Sequence, residues 1–220
     1  MTTTTAYLTV DDAPSPRLPE LLDTLEELRV PALLFCEGAK LERRPGAAVE
    51  AIERGFHLGN HSYSHPRFSE IGLSRARAEL RRTDRIVESL YDRAGVDRPV
   101  TAFRFPYGDH GADRSDDHAA ALQRLLREEG FDPPAFPGVE YDWWDADVRG
   151  RADWFWTFDP REYRDDHDRA DIVARIRDSD RLATESADVV LLHDHAETTD
   201  DVGAYVRALR DAGVGFSPPV

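Results

Sequence analysis

The chain has almost no cysteine and almost no lysine. Cys36 is the only cysteine among 220 residues, so no internal disulfide can form. Lys40 is the only lysine, and arginine carries the remaining positive charge. The 28 basic residues are outnumbered by 43 acidic ones, which gives a formal net charge of −15. Because nucleic acids and anionic membranes both require a basic face, we expect neither as a partner.

The sequence also lacks a long apolar run. No segment approaches the roughly 20 apolar residues that a membrane-spanning helix needs. Residues 1–6 contain no basic or apolar stretch typical of an export signal, so a cytoplasmic location is predicted. The composition, with 40% hydrophobic and 32% charged residues, is typical of a folded globular protein. We predict one domain over residues 1–220.

Short apolar runs alternate with amphipathic segments along the whole chain. The predicted strands are residues 7–10, 31–35, 101–103, 154–158, 188–192 and 215–217. The predicted helices are residues 19–28, 46–54, 69–94, 116–129, 169–181 and 201–211. This alternation predicts an α/β fold, with a parallel sheet covered by helices and closed into a barrel.

Polar residues follow several predicted strands at their carboxyl ends. These residues are Asp11, Asp12, Arg104, Asp159 and His193. In β/α barrels the chemistry lies at that end of the strands, so we expect these side chains to lie close together.

His61 and His65 suggest a metal site. A helical turn would place both rings on one side, although a surface pair in a polar loop would have the same spacing. One carboxylate of Asp11 and Asp12 would complete a His₂–carboxylate set with an open position for water. Neighbouring strand residues point in opposite directions, so the other carboxylate could contact that water. Otherwise the two aspartates would form a turn or a helix cap before Pro14.

Three further residues could orient groups or move protons. Arg104 could hold a carboxylate ionised, or form an ordinary surface ion pair. Asp159 is a possible partner for Arg104, or a turn residue before Pro160. His193 ends an apolar strand and could serve as a general acid near neutral pH. His195 is interpreted as an ordinary loop residue.

Four tryptophans lie close together in the sequence. Aromatic faces can stack on sugar rings, but core packing is their commoner role. We predict that Trp154 and Trp156 are mainly core residues, whereas Trp143 and Trp144 remain candidates for a binding groove.

Taken in order, these segments resemble the five motifs of the NodB-like polysaccharide deacetylases, carbohydrate esterase family four. The matching segments are residues 9–14, 61–65, 104–108, 156–163 and 190–194. The resemblance implies a distorted barrel of about seven β/α units. It also implies a metal-dependent hydrolase that removes N-acetyl groups from a glycan or amino sugar.

The resemblance implies a role for each matching residue. Asp11 would be the general base and His193 the general acid. Asp12, His61 and His65 would hold a divalent metal ion, expected to be Zn²⁺. The remaining roles are Arg104 orienting the base, Asp159 tethering Arg104, the Tyr107 N–H binding the oxyanion and Leu191 lining the acetate pocket.

The chain departs from the family pattern at three positions. Ala13 stands where glycine is usual, and Glu162 and Tyr163 stand where aspartate and tryptophan are common.

Two other functions remain open. The chain could instead be a metal-dependent amidohydrolase of a small N-acyl or cyclic amide compound. It could also be a catalytically inactive sugar-binding module. The expected partner is therefore a carbohydrate or an N-acylated small molecule.

Overall fold

The computed structural model describes residues 4–164 and 166–220, so residues 1–3 and 165 of the predicted domain lie outside it. Its strands are β1 (Thr4–Ala13), β2 (Ala32–Cys36), β3 (His57–Asn60), β4 (Asp188–His193) and β5 (Val214–Phe216). They form one parallel sheet in the order β3-β2-β1-β4, and β5 pairs with the first residues of β1. The predicted parallel α/β arrangement is therefore confirmed.

The helices lie between the strands in sequence. They are α1 (Leu18–Glu27), α2 (Gly38–Arg43), α3 (Pro45–Glu53), α4 (Leu73–Ala94), α5 (Asp116–Glu128), α6 (Asp142–Asp147), α7 (Arg169–Arg177) and α8 (Val202–Asp211). Short α2 and α6 were not predicted, because six residues give too little apolar periodicity to recognise. In the part of the chain that the structure describes, no helix is both long enough and apolar enough to cross a membrane.

Two irregular segments bridge the open edges of the sheet. The predicted strands at 101–103 and 154–158 are wrong in extent, because each supplies a single bridge, Asn60 to Phe103 and Phe158 to Val190. The Trp154 N–H donates to the Phe103 carbonyl oxygen at 2.7 Å, which links the two segments. The buried Arg104 side chain donates a hydrogen bond to the carbonyl oxygen of Trp154. This oxygen is therefore not part of a regular strand ladder. The result is a ring of backbone segments with the shape of a distorted barrel.

Alternation along β1 separates the two sides of the sheet. Leu8 and Val10 pack outward in the large apolar cluster that includes residues of α1, α3 and α8. Tyr7 packs in a second cluster inside the ring, with Leu33 and Phe35 among its members. Because successive strand residues alternate, Thr9 and Asp11 belong to the same inward series as Tyr7.

Gly59 in β3 allows a close approach of the Phe35 side chain. A methyl group added at Gly59 would lie 2.7 Å from Cδ1 of the buried Phe35 ring, whereas one added at Gly46 in α3 would meet nothing within 4 Å. We expect Gly59→Ala to lower the free energy of unfolding by about 1–3 kcal/mol through overpacking. Gly46→Ala, the matched control, should leave it unchanged or raise it by up to about 1 kcal/mol. Urea denaturation of both variants checks this, and equal values would contradict it.

Candidate active site

A cavity of about 420 Å³ lies at the carboxyl ends of the strands. Eight of the nine predicted site residues line it: Asp11, Asp12, His61, His65, Tyr107, Asp159, Leu191 and His193. The ninth, Arg104, is fully buried and contacts Asp11. The expectation that residues at the strand ends meet in one place is confirmed.

A bulge in β1 changes the direction of the aspartate pair. Val10 faces Leu34 of β2 but Ala13 faces Cys36, so β1 holds one extra residue between them. Asp12 has a φ of +66°, in the left-handed region. His61 Nε2 consequently lies 3.6 Å from a carboxylate oxygen of Asp11 and 3.6 Å from one of Asp12. The prediction that the two carboxylates point apart is wrong.

The histidine pair lies in a loop after β3, not on the helical turn that its spacing suggested. His65 has a φ of +56°, and the two ring centroids are 5.0 Å apart. Glu79 of α4 fixes this loop by accepting the N–H groups of Tyr63 and Ser64 at 3.0 and 2.7 Å. The pair therefore converges through backbone strain and a buried carboxylate, neither of which the spacing reveals.

His61 is oriented by the backbone. Its Nδ1 donates to the carbonyl oxygen of Arg104 at 2.9 Å, which leaves a lone pair on Nε2. Burial lowers the pKa of His61 and so favours the neutral ring. A neutral imidazole with its Nδ1 held in this way is the form that binds metal ions.

Asp12 has two oxygens with different surroundings. Its Oδ1 lies 3.1 Å from His65 Nε2 and is buried with no hydrogen-bond partner among the described residues. Its Oδ2 accepts a hydrogen bond from His195 Nε2 at 2.9 Å. Burial opposes ionisation of Asp12, but the His195 and His65 imidazoles outweigh it, so its pKa lies well below the usual range.

His195 is therefore a site residue that the sequence analysis missed. It lines the cavity and its ring centroid lies 5.4 Å from that of His193. The spacing held a usable signal, because residues two apart in extended backbone share a face. His195 lies in a loop, as expected, but the sequence analysis did not predict its contact with Asp12.

Arg104 holds Asp11 from inside the barrel. Its Nη1 donates to Asp11 Oδ1 and to Thr9 Oγ1, both at 2.8 Å. Its Nε donates to the Trp154 carbonyl oxygen at 2.9 Å, and its guanidinium lies 4.4 Å from the centroid of the Phe35 ring. The predicted contact between Arg104 and a carboxylate is present.

Asp159 does not tether Arg104. Both residues are described, and no hydrogen bond or ion pair joins them. Asp159 instead accepts the Arg161 N–H at 2.7 Å and the Tyr163 hydroxyl at 3.3 Å. The Asp159 carboxylate is engaged within its own turn, while Arg104 donates to Asp11, Thr9 and two backbone carbonyl oxygens. Burial raises the pKa of Asp159.

His193 is paired with Glu162, a residue noted in the sequence only as a departure from a motif. Glu162 Oε1 lies 3.0 Å from His193 Nδ1 and also accepts the His193 backbone N–H at 2.5 Å. Burial alone would lower the pKa of His193, but Glu162 outweighs it and raises the pKa to about 9. The metal-free site thus favours a protonated ring that can donate a proton.

Tyr107 and Leu191 come from different segments of the chain, and both line the cavity. Tyr107 has a φ of +60°, and its ring stands against that of His65 at a centroid distance of 4.5 Å. The Tyr107 side chain is 59% exposed. Leu191 is buried in the middle of β4.

The donor set fits a divalent metal ion. Ligand atoms of Asp12, His61 and His65 all lie within 4.8 Å of one another. A tetrahedral Zn²⁺ with bonds of about 2.0–2.1 Å holds its ligand atoms roughly 3.3 Å apart. The 3.1 and 3.6 Å separations from Asp12 Oδ1 lie on either side of that value. The unpaired, buried Oδ1 is the atom that such an ion would satisfy.

The sequence matches a known family over its first half. A sequence model of the polysaccharide deacetylases matches residues 1–125. The chain belongs to this family. A chitooligosaccharide deacetylase of Sinorhizobium fredii is 35% identical over 103 residues, which cover 46% of this chain and 46% of that protein. The chain thus spans about half the length of that relative, and the family model ends before Asp159, Glu162, Leu191 and His193.

Solved structures share the fold over nearly the whole chain. The catalytic domain of a peptidoglycan N-acetylglucosamine deacetylase from Eubacterium rectale has a TM-score of 0.71 at 21% identity, covering 99% of this chain and 89% of that one. A CE4-family pseudoenzyme of Bacillus anthracis has a TM-score of 0.69 at 20% identity, covering 97% and 64%. The predicted family and fold are confirmed. Because a pseudoenzyme shares the fold, activity must be argued from the residues.

The His193–Glu162 pair predicts a measurable titration. Because the folded pKa of about 9 exceeds the ordinary 6.5, the pair stabilises the fold below pH 6.5 and loses that contribution as the pH rises through 9. In metal-free protein, the NMR titration midpoint of His193 should lie near 9. Glu162→Gln should move it down toward about 6.5, the ordinary value. His57 at the start of β3, away from the site, is the internal control, and its titration midpoint should not change. An unchanged His193 midpoint in Glu162→Gln would contradict the pairing.

Proposed function

We propose that this chain is a metal-dependent deacetylase that hydrolyses N-acetyl groups of a glycan or amino-sugar substrate. The proposal rests on three features that lie together in one cavity. These are the possible metal ligands Asp12, His61 and His65, the Asp11 carboxylate bound by Arg104, and the His193 imidazole paired with Glu162. The relatives support the substrate class, because their names specify chitooligosaccharide and peptidoglycan deacetylation.

Asp12, His61 and His65 are proposed to hold the metal ion. Two imidazoles and one carboxylate are a donor set that suits Zn²⁺, and they leave an open coordination position. When bound, such an ion supplies Lewis acidity, which makes water a better nucleophile and a carbonyl carbon a better electrophile.

Asp11 is proposed as the general base. Arg104 binds its Oδ1 and so fixes the carboxylate, while its Oδ2 is the oxygen closest to His61 Nε2. A carboxylate held in this way accepts a proton from water as the water attacks the acetamide carbonyl. Arg104 acts through Asp11 and is a positioning residue.

His193 is proposed as the general acid. Glu162 occupies Nδ1, so Nε2 is the nitrogen that can give a proton to the departing amine. Proton transfer to that nitrogen accompanies cleavage of the C–N bond, and the products are acetate and a free amine. Glu162 stabilises the protonated ring until that transfer.

The oxyanion and the acyl methyl group need separate contacts. We propose that the Tyr107 N–H donates to the developing oxyanion, a contribution of roughly 3–4 kcal/mol for such a donor. Leu191, an apolar wall residue, is suited to pack against the methyl group.

The two other functions make different demands on the site. A small N-acyl or cyclic amide substrate would fill the 420 Å³ cavity alone and would leave the adjoining aromatic surface unused. An inactive sugar-binding module would not need both a carboxylate and an imidazole placed for proton transfer. A glycan substrate accounts for both features. The single domain over residues 1–220 and the cytoplasmic location stay predictions.

Two variants separate metal binding from proton transfer. We expect His61→Ala to lose bound metal and acetate release together, because it removes a ligand. Asp11→Asn, the matched control, should keep its metal but lose activity by about 10²–10⁴-fold, because it removes only the base. Atomic absorption and an acetate assay on acetylated chitooligosaccharides, N-acetylglucosamine and small N-acyl compounds measure both. Unchanged metal content and acetate release in His61→Ala would refute the proposal, and activity on small compounds alone would favour the amidohydrolase.

His195 is proposed to position Asp12 for the metal. By binding Oδ2, it keeps Oδ1 turned toward the histidine pair. Losing such a supporting hydrogen bond commonly weakens metal affinity by about 10–100-fold. Zinc titration by calorimetry should therefore give that loss for His195→Ala and no change for His167→Ala, because His167 does not line the catalytic cavity. Equal affinities for His195→Ala and the unaltered chain would assign His195 no such role.

A further inference from the structure

A wider groove adjoins the catalytic cavity. Its volume is about 1010 Å³, and it shares Trp156, Asp159 and Tyr163 with that cavity as walls. A substrate chain whose acetyl group enters the cavity would therefore extend across Trp156 into the groove. None of the proposed reaction steps uses this surface.

Aromatic rings form part of the groove wall. Phe155 and Trp156 stack with their centroids 4.2 Å apart, and Trp143 lines the same groove. Flat aromatic faces of this kind suit sugar rings. Of the two candidates for a binding groove, Trp143 lines it and Trp144 is buried in the core, whereas Trp156, predicted as core, lines both cavities.

Four arginines line the same groove: Arg161, Arg164, Arg175 and Arg181. Only two carboxylates, Asp159 and Asp178, line it with them. This local excess of positive charge is opposite in sign to the net charge of −15 of the chain. It lies directly beside the proposed reaction site.

The arginines of the groove have few acidic partners. Arg164 pairs with Asp166 at 2.9 Å. Across residues 4–164 and 166–220, no carboxylate forms an ion pair with Arg161, Arg175 or Arg181. The Asp159 carboxylate accepts a hydrogen bond from the Arg161 backbone N–H, and the Arg161 guanidinium takes no part in that contact.

Aromatic rings, not acids, hold Arg181. Its guanidinium lies 4.8 Å from the centroid of the Tyr141 ring and 5.3 Å from that of the Trp143 ring. Cation–π contacts of this kind orient a guanidinium while leaving its N–H donors for another acceptor. Arg175 is exposed on α7 and reaches the same groove.

We propose that the groove binds an oxyanion carried by the substrate, a carboxylate or a phosphate on a sugar unit beside the one that is deacetylated. The guanidinium fork matches either group with paired hydrogen bonds. The acidic remainder of the surface would repel the same anion, which confines its capture to the groove. The proposal takes the substrate class from the proposed function, but binding can be tested without the reaction.

The binding test uses metal-free protein, so that no turnover occurs. Calorimetry compares a neutral oligosaccharide of N-acetylglucosamine with one that alternates N-acetylglucosamine and glucuronate, and with N-acetylglucosamine 1-phosphate. We expect at least one charged ligand to bind about 10-fold more tightly than the neutral one at low salt. That advantage should shrink as sodium chloride is added, since exposed charges are screened. Preference for glucuronate or for phosphate identifies the anion, and equal binding of all three ligands overturns the proposal.

A double variant assigns the effect to the groove. Arg175→Gln with Arg181→Gln should lower the ratio of charged to neutral affinity about 10-fold, at about 3-fold for each arginine. Arg124→Gln on α5 is the matched control, because Arg124 is exposed and lines neither cavity. Circular dichroism verifies that both proteins fold. An unchanged ratio in the folded double variant places the anion elsewhere and overturns the proposal.

The two proposals fail in different ways. Charged oligosaccharides that bind through the arginines without releasing acetate, even with zinc present, would refute the deacetylase and keep the anion site. Acetate release from neutral and charged oligosaccharides at equal kcat/KM would keep the deacetylase and refute the anion site.

Discussion

The buried ion pair between Arg104 and Asp11 connects the closure of the barrel to the geometry of its site. One guanidinium binds Thr9 and Asp11 on β1 and the carbonyl oxygens of Trp154 and Phe155 on an irregular segment. A buried charge of this kind is costly unless it is fully paired, and removing one partner commonly costs 3–5 kcal/mol. The hydrogen bonds that satisfy the Arg104 charge therefore have two effects. They link β1 to the irregular segment in place of a regular strand ladder, and they fix the Asp11 carboxylate.

The charges around the cavity favour a cation at its centre. Two carboxylates approach one imidazole nitrogen, and neighbouring carboxylates disfavour joint ionisation unless positive charge lies between them. Arg104 compensates Asp11, and Glu162 compensates a protonated His193. Two oxygens of the site are buried without a hydrogen-bond partner among the described residues, Asp12 Oδ1 and Glu162 Oε2, and only Asp12 belongs to the donor set with His61 and His65. The placement of the proposed metal thus follows from an unsatisfied carboxylate oxygen that lies beside two imidazoles.

Sequence reasoning predicted the members of the site better than their directions. Strand ends can be recognised from apolar runs, and parallel strands bring Asp11 and His193 to the same edge of the sheet. The bulge before Ala13 and the left-handed backbone at Asp12 and His65 depend on tertiary packing, which no local pattern records. Glu162 lies 31 residues from His193 in the sequence, so their pairing is set by the barrel and not by spacing.

Positive charge has two distinct uses in this acidic chain. Inside the fold it is paired, since Arg104 donates to four acceptors and Lys40 binds the Asp12 carbonyl oxygen at 2.6 Å and pairs with Glu37 at 2.7 Å. In the groove beside the site, aromatic rings orient Arg181 while its donors are not taken by an acid of the described chain. A guanidinium that is held in place without an anionic partner in the protein is available to bind an anion carried by a ligand. The proposed anion site would therefore let the groove distinguish substrates by charge, which the catalytic cavity does not do on its own in the proposed reaction.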